Sequence, residues 1–550
     1  MFLRLFFPLL SATALVAEEF VPHVPAEARL FLRVPEGEPP LRDIGVSLGE
    51  ASPGIHEPTP ERRERLTDIR FPIHWWRWRE FTVHFTPAHD GSVELDLNGP
   101  WGEAGQGVLQ QQEVLWDAFS ATGAELSNGS FEETRDGRPA GWESPWRPYP
   151  APGAWPLAGN KPSDGASYAA SWHGRPLIRS IPVKAGVPVA LKLHARAATV
   201  PGFKEPARLP QDTPAHRACA RMKRGVNLGN HWEAPPGGWG IRYDTGDIDR
   251  IAAEGFDHIR VPVAWHYHLQ DGRIKPQLLA ELEPVLRHAL EKNLLVIINW
   301  HHFEDLCKEP EKHRATFISG WAEIARHFKD WPEELYIELI NEPNGALDHD
   351  MLTSIHAGAI AAIRKTNPRR ILLADPPQWA AIRGLDRFFL PDGDDRIIAT
   401  VHSYEPFQFT HQQAAWVQLA DLRGITYPGP PPKPVPLPES LRENTGLASW
   451  LEAYNTRQGT GNPCSAATFE LLLDDAAAWS RHFGRPVHIG EFGAYRKADP
   501  QSRNRYIRDF RMAAEKRKMP WTLWDWKAGF AYWDSETSKP LLREALLGTP

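Results

Sequence analysis

The chain has 550 residues, of which 42% are hydrophobic and 24% charged. This excludes a disordered or fibrous chain and calls for several packed domains. Lys+Arg 62 against Asp+Glu 69 leaves a net charge of −7 without long single-sign runs, which argues against a polyanion-binding surface. Cys219, Cys307 and Cys464 are too few for a disulfide scaffold or a Cys-rich metal module, whereas 23 Trp against 5 Met suggest flat apolar faces kept near the surface.

In chain order, Arg4, the apolar stretch 5–16 and the small residues Ala14 and Ala17 before Glu18-Glu19 predict an export signal over 1–17. The expected location is therefore secreted or periplasmic. No later run reaches the length of about 18 apolar residues that a membrane span needs. Residues 18–126 are Pro-rich and alternate apolar with polar, and read as a β-rich domain. Phe81–Phe85, the turn Asp90-Gly91 and Val93–Leu97 predict a hairpin. A second β-rich segment, 127–205, opens at Asn128-Gly129-Ser130-Phe131-Glu132 and runs through Gly141-Trp142 to Ile181-Pro182-Val183-Lys184-Ala185-Gly186. That order resembles jelly-roll carbohydrate-binding modules. Trp75, Trp76 and Trp78 fall on alternate faces of an expected strand, which leaves either a packed core or a sugar-stacking platform.

From 206 onward the rhythm becomes strand, helix, strand, helix. Strand candidates fall at 223–228, 258–263, 294–299, 335–340, 370–374, 397–402, 486–490 and 521–526, with helical patterns at 275–293 and 315–329. Eight βα units point to a (β/α)8 barrel, an α/β fold, preceded by a β-sandwich or jelly-roll-like region. An open doubly wound sheet is the alternative, but it would want a Gly-rich phosphate loop after its first strand, and none is present. The stretch 405–478, with Pro428-Gly429-Pro430-Pro431-Pro432, reads as a long loop after strand six.

In such a barrel the working residues stand at the C-terminal strand ends. Glu342 follows the fourth strand and Glu491 the seventh, so two carboxylates can face each other across the mouth. Glycoside hydrolysis needs such a pair, one held protonated and one ionised. Asn341 precedes Glu342, and Arg260, His301, His302, His402, Tyr404 and Trp524 decorate other strand ends.

Residues 221–545 resemble the cellulases of glycoside hydrolase family 5. The resemblance rests on Arg224-Gly225-Val226-Asn227-Leu228-Gly229-Asn230 with Glu233-Ala234-Pro235, then Ile259-Arg260-Val261-Pro262 and Asn299-Trp300-His301-His302-Phe303-Glu304. Asn341-Glu342-Pro343, His402-Ser403-Tyr404-Glu405-Pro406, Gly490-Glu491-Phe492-Gly493 and Trp524 follow in the family's order. The resemblance implies Glu342 as general acid/base and Glu491 as nucleophile of a retaining double displacement. Asn341 would bond the sugar 2-hydroxyl, and Arg260 with Tyr404 would hold Glu491 ionised. His402 would neighbour Glu342, His301 would bind sugar at the cleavage site and Trp524 would be its apolar floor. Asn230, Glu233, His302, His411 and Trp416 would line the cleft.

The implied activity is endo-β-1,4-glucanase, on a β-glucan polysaccharide or oligosaccharide. A β-mannanase, a mixed-linkage or xyloglucan-active enzyme, and a non-catalytic polysaccharide-binding protein are the alternatives. No cofactor or metal is expected, because the spacing of His266, His268, His301 and His302 does not suit a barrel metal site. Neither a nucleic-acid partner nor a membrane span is expected, and the chain is expected to act as a monomer.

Overall fold

A computed structural model describes residues 20–34, 41–48, 66–105, 108–135, 138–143, 161–200 and 202–548. The expected export signal over 1–17 lies outside the described residues. Two compact units divide the chain, Met1–Lys204 and Glu205–Pro550.

The first unit is built on two antiparallel sheets. One orders strands Ala169–Ser171, Val114–Thr122, Val189–Ala197, Arg79–Thr86 and Arg42–Leu48. The other orders Leu177–Val183, Gly91–Asn98, Glu27–Arg33 and Leu66–Pro72. Alternation sets their inner faces: Phe81, Val83, Phe85, Leu191 and Leu193 are buried, while Thr82, His84 and Lys192 between them are partly or fully exposed.

Three expectations change here. The segments 18–126 and 127–205 are not separate modules, because Leu177–Val183 pairs with Gly91–Asn98 and Val189–Ala197 with Arg79–Thr86. Nor is there a hairpin across Asp90-Gly91, since its two arms belong to different sheets. The turn instead carries the chain from one layer to the other, and the Asp90 carboxylate accepts from the Ala185 N–H. Trp75 and Trp76 are buried, and the Trp78 indole N–H donates to the Lys161 carbonyl, so these rings are packed rather than laid out as a platform.

The second unit is a closed parallel barrel of eight strands: β1 Arg224–Asn227, β2 His258–Val263, β3 Leu295–Trp300, β4 Leu335–Glu338, β5 Leu372–Ala374, β6 Ile397–His402, β7 Val487–Phe492 and β8 Trp521–Leu523. Val/Ile/Leu-rich runs bury β2, β3, β6 and β7 on both faces, as a barrel wrapped in helices requires. Helices such as Thr245–Glu254, Pro276–Glu291, Pro310–His327 and His349–Arg364 return the chain between strands. The first of these starts on a capping box at Asp244 and stops at the left-handed Gly255, so its ends are set locally. Ahead of β1, helix Pro214–Arg221 joins Ala215, Ala218 and Cys219 to Leu295, Ile297, Tyr336 and Leu373 in one apolar cluster. The stretch 405–478, read as a loop, contains helix Thr445–Thr456 and the start of Ala467–Phe483. No helix among the described residues is long and apolar enough to cross a membrane.

Candidate active site

Strand parity and two local irregularities aim the functional groups. On β2, Arg260 stands in the barrel interior with no exposure. On β7 the register against β6 slips, so that His402 faces Glu491 rather than Gly490. Such a bulge re-aims a side chain, and here it turns Glu491 into the mouth. Glu342, just past β4, sits in the left-handed region at φ 50°, a strained position for a non-glycine residue. Its N–H donates to Asp375 Oδ2 at 3.1 Å.

Arg260 is the hub. Its Nε and Nη2 donate to the two oxygens of Glu338 at 2.7 and 2.6 Å, Nη1 donates to Glu491 Oε1 at 2.7 Å, and Nη2 to Asn341 Oδ1 at 2.7 Å. Because the guanidinium has only donors, it fixes the Asn341 amide with its oxygen inward and its nitrogen turned away. The Tyr404 hydroxyl donates to Glu491 Oε2 at 2.8 Å. His402 Nδ1 lies 2.8 Å from Glu342 Oε1 and 3.7 Å from Glu491 Oε2. One oxygen each of Glu342 and Glu491, with a His402 nitrogen, fall within 4.8 Å of one another. A cation already occupies the acidic floor in the form of Arg260.

Burial governs the charges. It pushes the Glu342 carboxyl above the usual carboxylate range, against the pull of His302 and Arg260. It also pushes Glu491 up, against His402 and Arg260. Arg260 and Tyr404 do favour the Glu491 carboxylate, but burial is the larger effect, so the net direction is opposite to the one expected from sequence. Glu338 goes the other way: burial opposes its ionisation, yet the paired Arg260 overrides it and the carboxyl lies below its ordinary value. Burial lowers His402 to about 4, so its ring is neutral at ordinary pH.

A cleft of about 1330 Å³ opens over this floor, lined by Asn230, Glu233, His301, His302, Glu342, His402, Tyr404, His411, Trp416, Glu491 and Trp524. Arg260 and Asn341 lie directly beneath. All thirteen residues singled out from sequence therefore meet in one place. His301 lies parallel to Trp524, ring centroids 5.6 Å apart. The Trp524 ring would collide with any Cβ on Gly229, which explains the glycine there. Glu233 is buried, accepts from the N–H groups of Asn230 and His231, and is raised to about 8 chiefly by burial. His411 stacks on Phe407 at 4.1 Å, and burial lowers it to about 3.

Sequence reasoning missed Glu338, Asp375 and Asn299, whose amide nitrogen donates to Glu338 Oε1 at 3.0 Å. It also missed the rim rings Trp239, Tyr267, Trp379 and Phe407. Trp379 is 61% exposed on a turn in which Gln378, Trp379 and Ala380 all have positive φ. Pro376-Pro377 immediately after β5 was the available signal. The His266 imidazole, weighed as a metal ligand, instead accepts from the Trp300 indole N–H at 3.2 Å.

The profile of the cellulase family, glycosyl hydrolase family 5, matches residues 222–529, more than half of the chain. The chain belongs to that family. Endoglucanase H of Acetivibrio thermocellus is 26% identical over 324 residues, which is 58% of this chain and 31% of that protein's length. The chain therefore spans less than a third of this curated relative. Among solved structures, the endoglucanase Cel5A of Thermotoga maritima is 30% identical with a TM-score of 0.53, covering 61% of this chain and all of that one. A structure of the same cellulase with a mannotriose substrate is 29% identical, with a TM-score of 0.53 and the same coverage. The span matched by the family profile, residues 222–529, includes every catalytic candidate named above.

Proposed function

We propose that this family 5 chain is a retaining glycoside hydrolase that cleaves internal β-1,4 linkages of a glucan. The observation that carries the reading is the pair of carboxylates, Glu491 buried and Glu342 half-buried, with oxygens within 4.8 Å, held by different partners at the floor of an aromatic-rimmed cleft. Retention needs carboxyls about 5–5.5 Å apart, whereas inversion needs roughly 6.5–9.5 Å to admit a water.

In this reading Glu491, bonded by two donors that favour its charged form, attacks the anomeric carbon. Glu342, next to the neutral His402, protonates the departing oxygen and then deprotonates the water that releases the glycosyl-enzyme. The Asn341 nitrogen, turned away from Arg260, meets the 2-hydroxyl, a contact that tightens as positive charge develops on the ring. Trp524 supplies the apolar floor. Trp239, Trp379, Trp416, Tyr267 and Phe407 give stacking faces for neighbouring sugars.

Mannan is the second reading, favoured by the mannotriose complex of the Thermotoga cellulase. Reducing-sugar release from carboxymethylcellulose, lichenan, xyloglucan and galactomannan, with Glu491→Ala as control, decides between them. Release from glucans that is lost in the control is expected. Release from galactomannan alone would replace the glucanase reading, and no release by folded protein would overturn both. An N-terminus beginning near Glu18 in exported protein would test secretion.

A further inference from the structure

Asp375 is a buried acid with no part in the bond making. It stands one residue past β5, has no exposure and does not line the cleft. Burying a carboxyl is unfavourable unless hydrogen bonds offset the lost water. Here Oδ1 has no partner among the described residues, and Oδ2 lies 3.1 Å from the backbone nitrogen of Glu342, whose N–H it accepts.

That N–H needs a partner. Parallel pairing between β4 and β5 ends where the Leu339 N–H donates to the Leu373 carbonyl at 3.0 Å. Two residues on, the chain swings away. The Asn341 N–H donates to the Trp300 carbonyl of β3 at 2.9 Å, and Glu342 enters the left-handed region at φ 50°. Such backbone persists at a non-glycine residue only where the surroundings over-determine it. The Asp375 carboxyl supplies the acceptor that the sheet no longer provides, and it does so for the kinked conformation. The kink in turn brings the Glu342 carboxyl to His402 Nδ1 at 2.8 Å.

The segment after Asp375 is itself pinned to both neighbours. The Trp379 N–H donates to the carbonyl of Pro343, next to Glu342, at 3.1 Å, and the Ala380 carbonyl accepts from the His402 N–H at 2.9 Å. One oxygen each of Asp375 and Glu338, with a His402 nitrogen, fall within 4.8 Å of one another. Burial and the nearby Glu338 carboxylate push Asp375 well above the usual carboxylate range, which makes a neutral amide its nearest mimic.

We propose that Asp375 is a positioning residue for the catalytic acid: its carboxyl holds Glu342 in the left-handed conformation that aims the acid at the departing oxygen, a role that rests on the acid/base reading of Glu342.

Asp375→Leu, of similar size but with no acceptor, and Asp375→Asn, which keeps one, test this in the full chain, with melting temperatures measured beside them. Asp375→Leu is expected to lower kcat/KM about 10–100-fold on unactivated glucan but less than about threefold on an aryl glycoside whose leaving group needs no protonation. The aryl glycoside is spared because Arg260 and Tyr404 hold Glu491 independently. Asp375→Asn should stay within about threefold of wild type on both substrates. Its crystal structure should keep residue 342 at positive φ with the amide oxygen on the Glu342 N–H, whereas Asp375→Leu should release the kink. Equal loss on the two substrates by folded Asp375→Leu, no rescue by asparagine, or an unchanged kink in the leucine variant overturns the proposal. Should leucine fail to fold, the asparagine variant decides alone: an amide nitrogen turned toward Glu342, or a loss of about tenfold or more on unactivated glucan, overturns it. Glu342→Ala losing both substrates equally would instead sink the acid/base reading, while the φ of residue 342 would still judge what Asp375 holds.

Discussion

Tyr404→Phe isolates how the charge on Glu491 is maintained. The carboxylate is 4% exposed and has two close donors, Arg260 on one oxygen and Tyr404 on the other at 2.8 Å. Phenylalanine keeps the ring and removes the second donor, leaving Oε2 with only His402 Nδ1 at 3.7 Å, beyond hydrogen-bond range. A hydrogen bond to a charged group is worth about 1.5–3 kcal/mol. At about 1.36 kcal/mol per pH unit, its loss raises the Glu491 pKa by roughly one to two units. The sign is fixed: losing a donor penalises the ionised form, so more protein carries a protonated, inert nucleophile at low pH. The assay is kcat/KM against pH on an aryl β-cellobioside with an activated leaving group, which makes the Glu342 proton dispensable and leaves the acid limb to Glu491. An upward shift of that limb by about one unit or more is expected. A limb that stays put, or moves down, in a folded variant would refute the reasoning.

Three further outcomes are expected. Glu342→Ala should lose about 10²–10⁴ in kcat/KM on unactivated glucan while sparing activated aryl glycosides, and equal loss on both would remove its acid role. Glu338→Gln breaks the bidentate pair with Arg260 and should destabilise the barrel by about 3–5 kcal/mol, so a wild-type melting curve would contradict it. His356 is buried with neither ring nitrogen bonded among the described residues, and burial lowers it to about 3. The unfolded chain takes up this proton below about 6.5 and the folded one only near 3, so the site should cost about 2 kcal/mol of stability between pH 8 and pH 5. Urea unfolding of His356→Leu at both pH values should show that loss removed, and an unchanged pH difference would count against it.

The barrel was legible because its signals are local. Apolar runs at 258–263 and 397–402 coincide with β2 and β6, and β4 and β8 begin at the expected residues. Ends were less so: β8 stops at Leu523, and Trp524, read as strand, lies beyond it. The strand-end residues could be read because topology gathers every such end at one face. Glu338 was not, since its partner Arg260 is 78 residues away and a lone acid in Leu335-Tyr336-Ile337-Glu338 carries no mark of pairing. The same reason hides the sandwich. Val93–Leu97 reads as a strand, but which strand pairs with which is settled by long-range packing, not by the alternation a single strand displays, so its pairing with Leu177–Val183 was hidden.

The guanidinium shared by Glu338 and Glu491 has a consequence over the catalytic cycle. In the proposed double displacement Glu491 becomes a glycosyl ester and surrenders its negative charge, and a cation sealed in the barrel with only that partner would be stranded at the moment the intermediate forms. Glu338 has no role in that proposed step, and both of its oxygens accept from Arg260. On that mechanism the inner pair works as a standing ballast, and the outer carboxylate can be esterified and regenerated without an uncompensated buried charge.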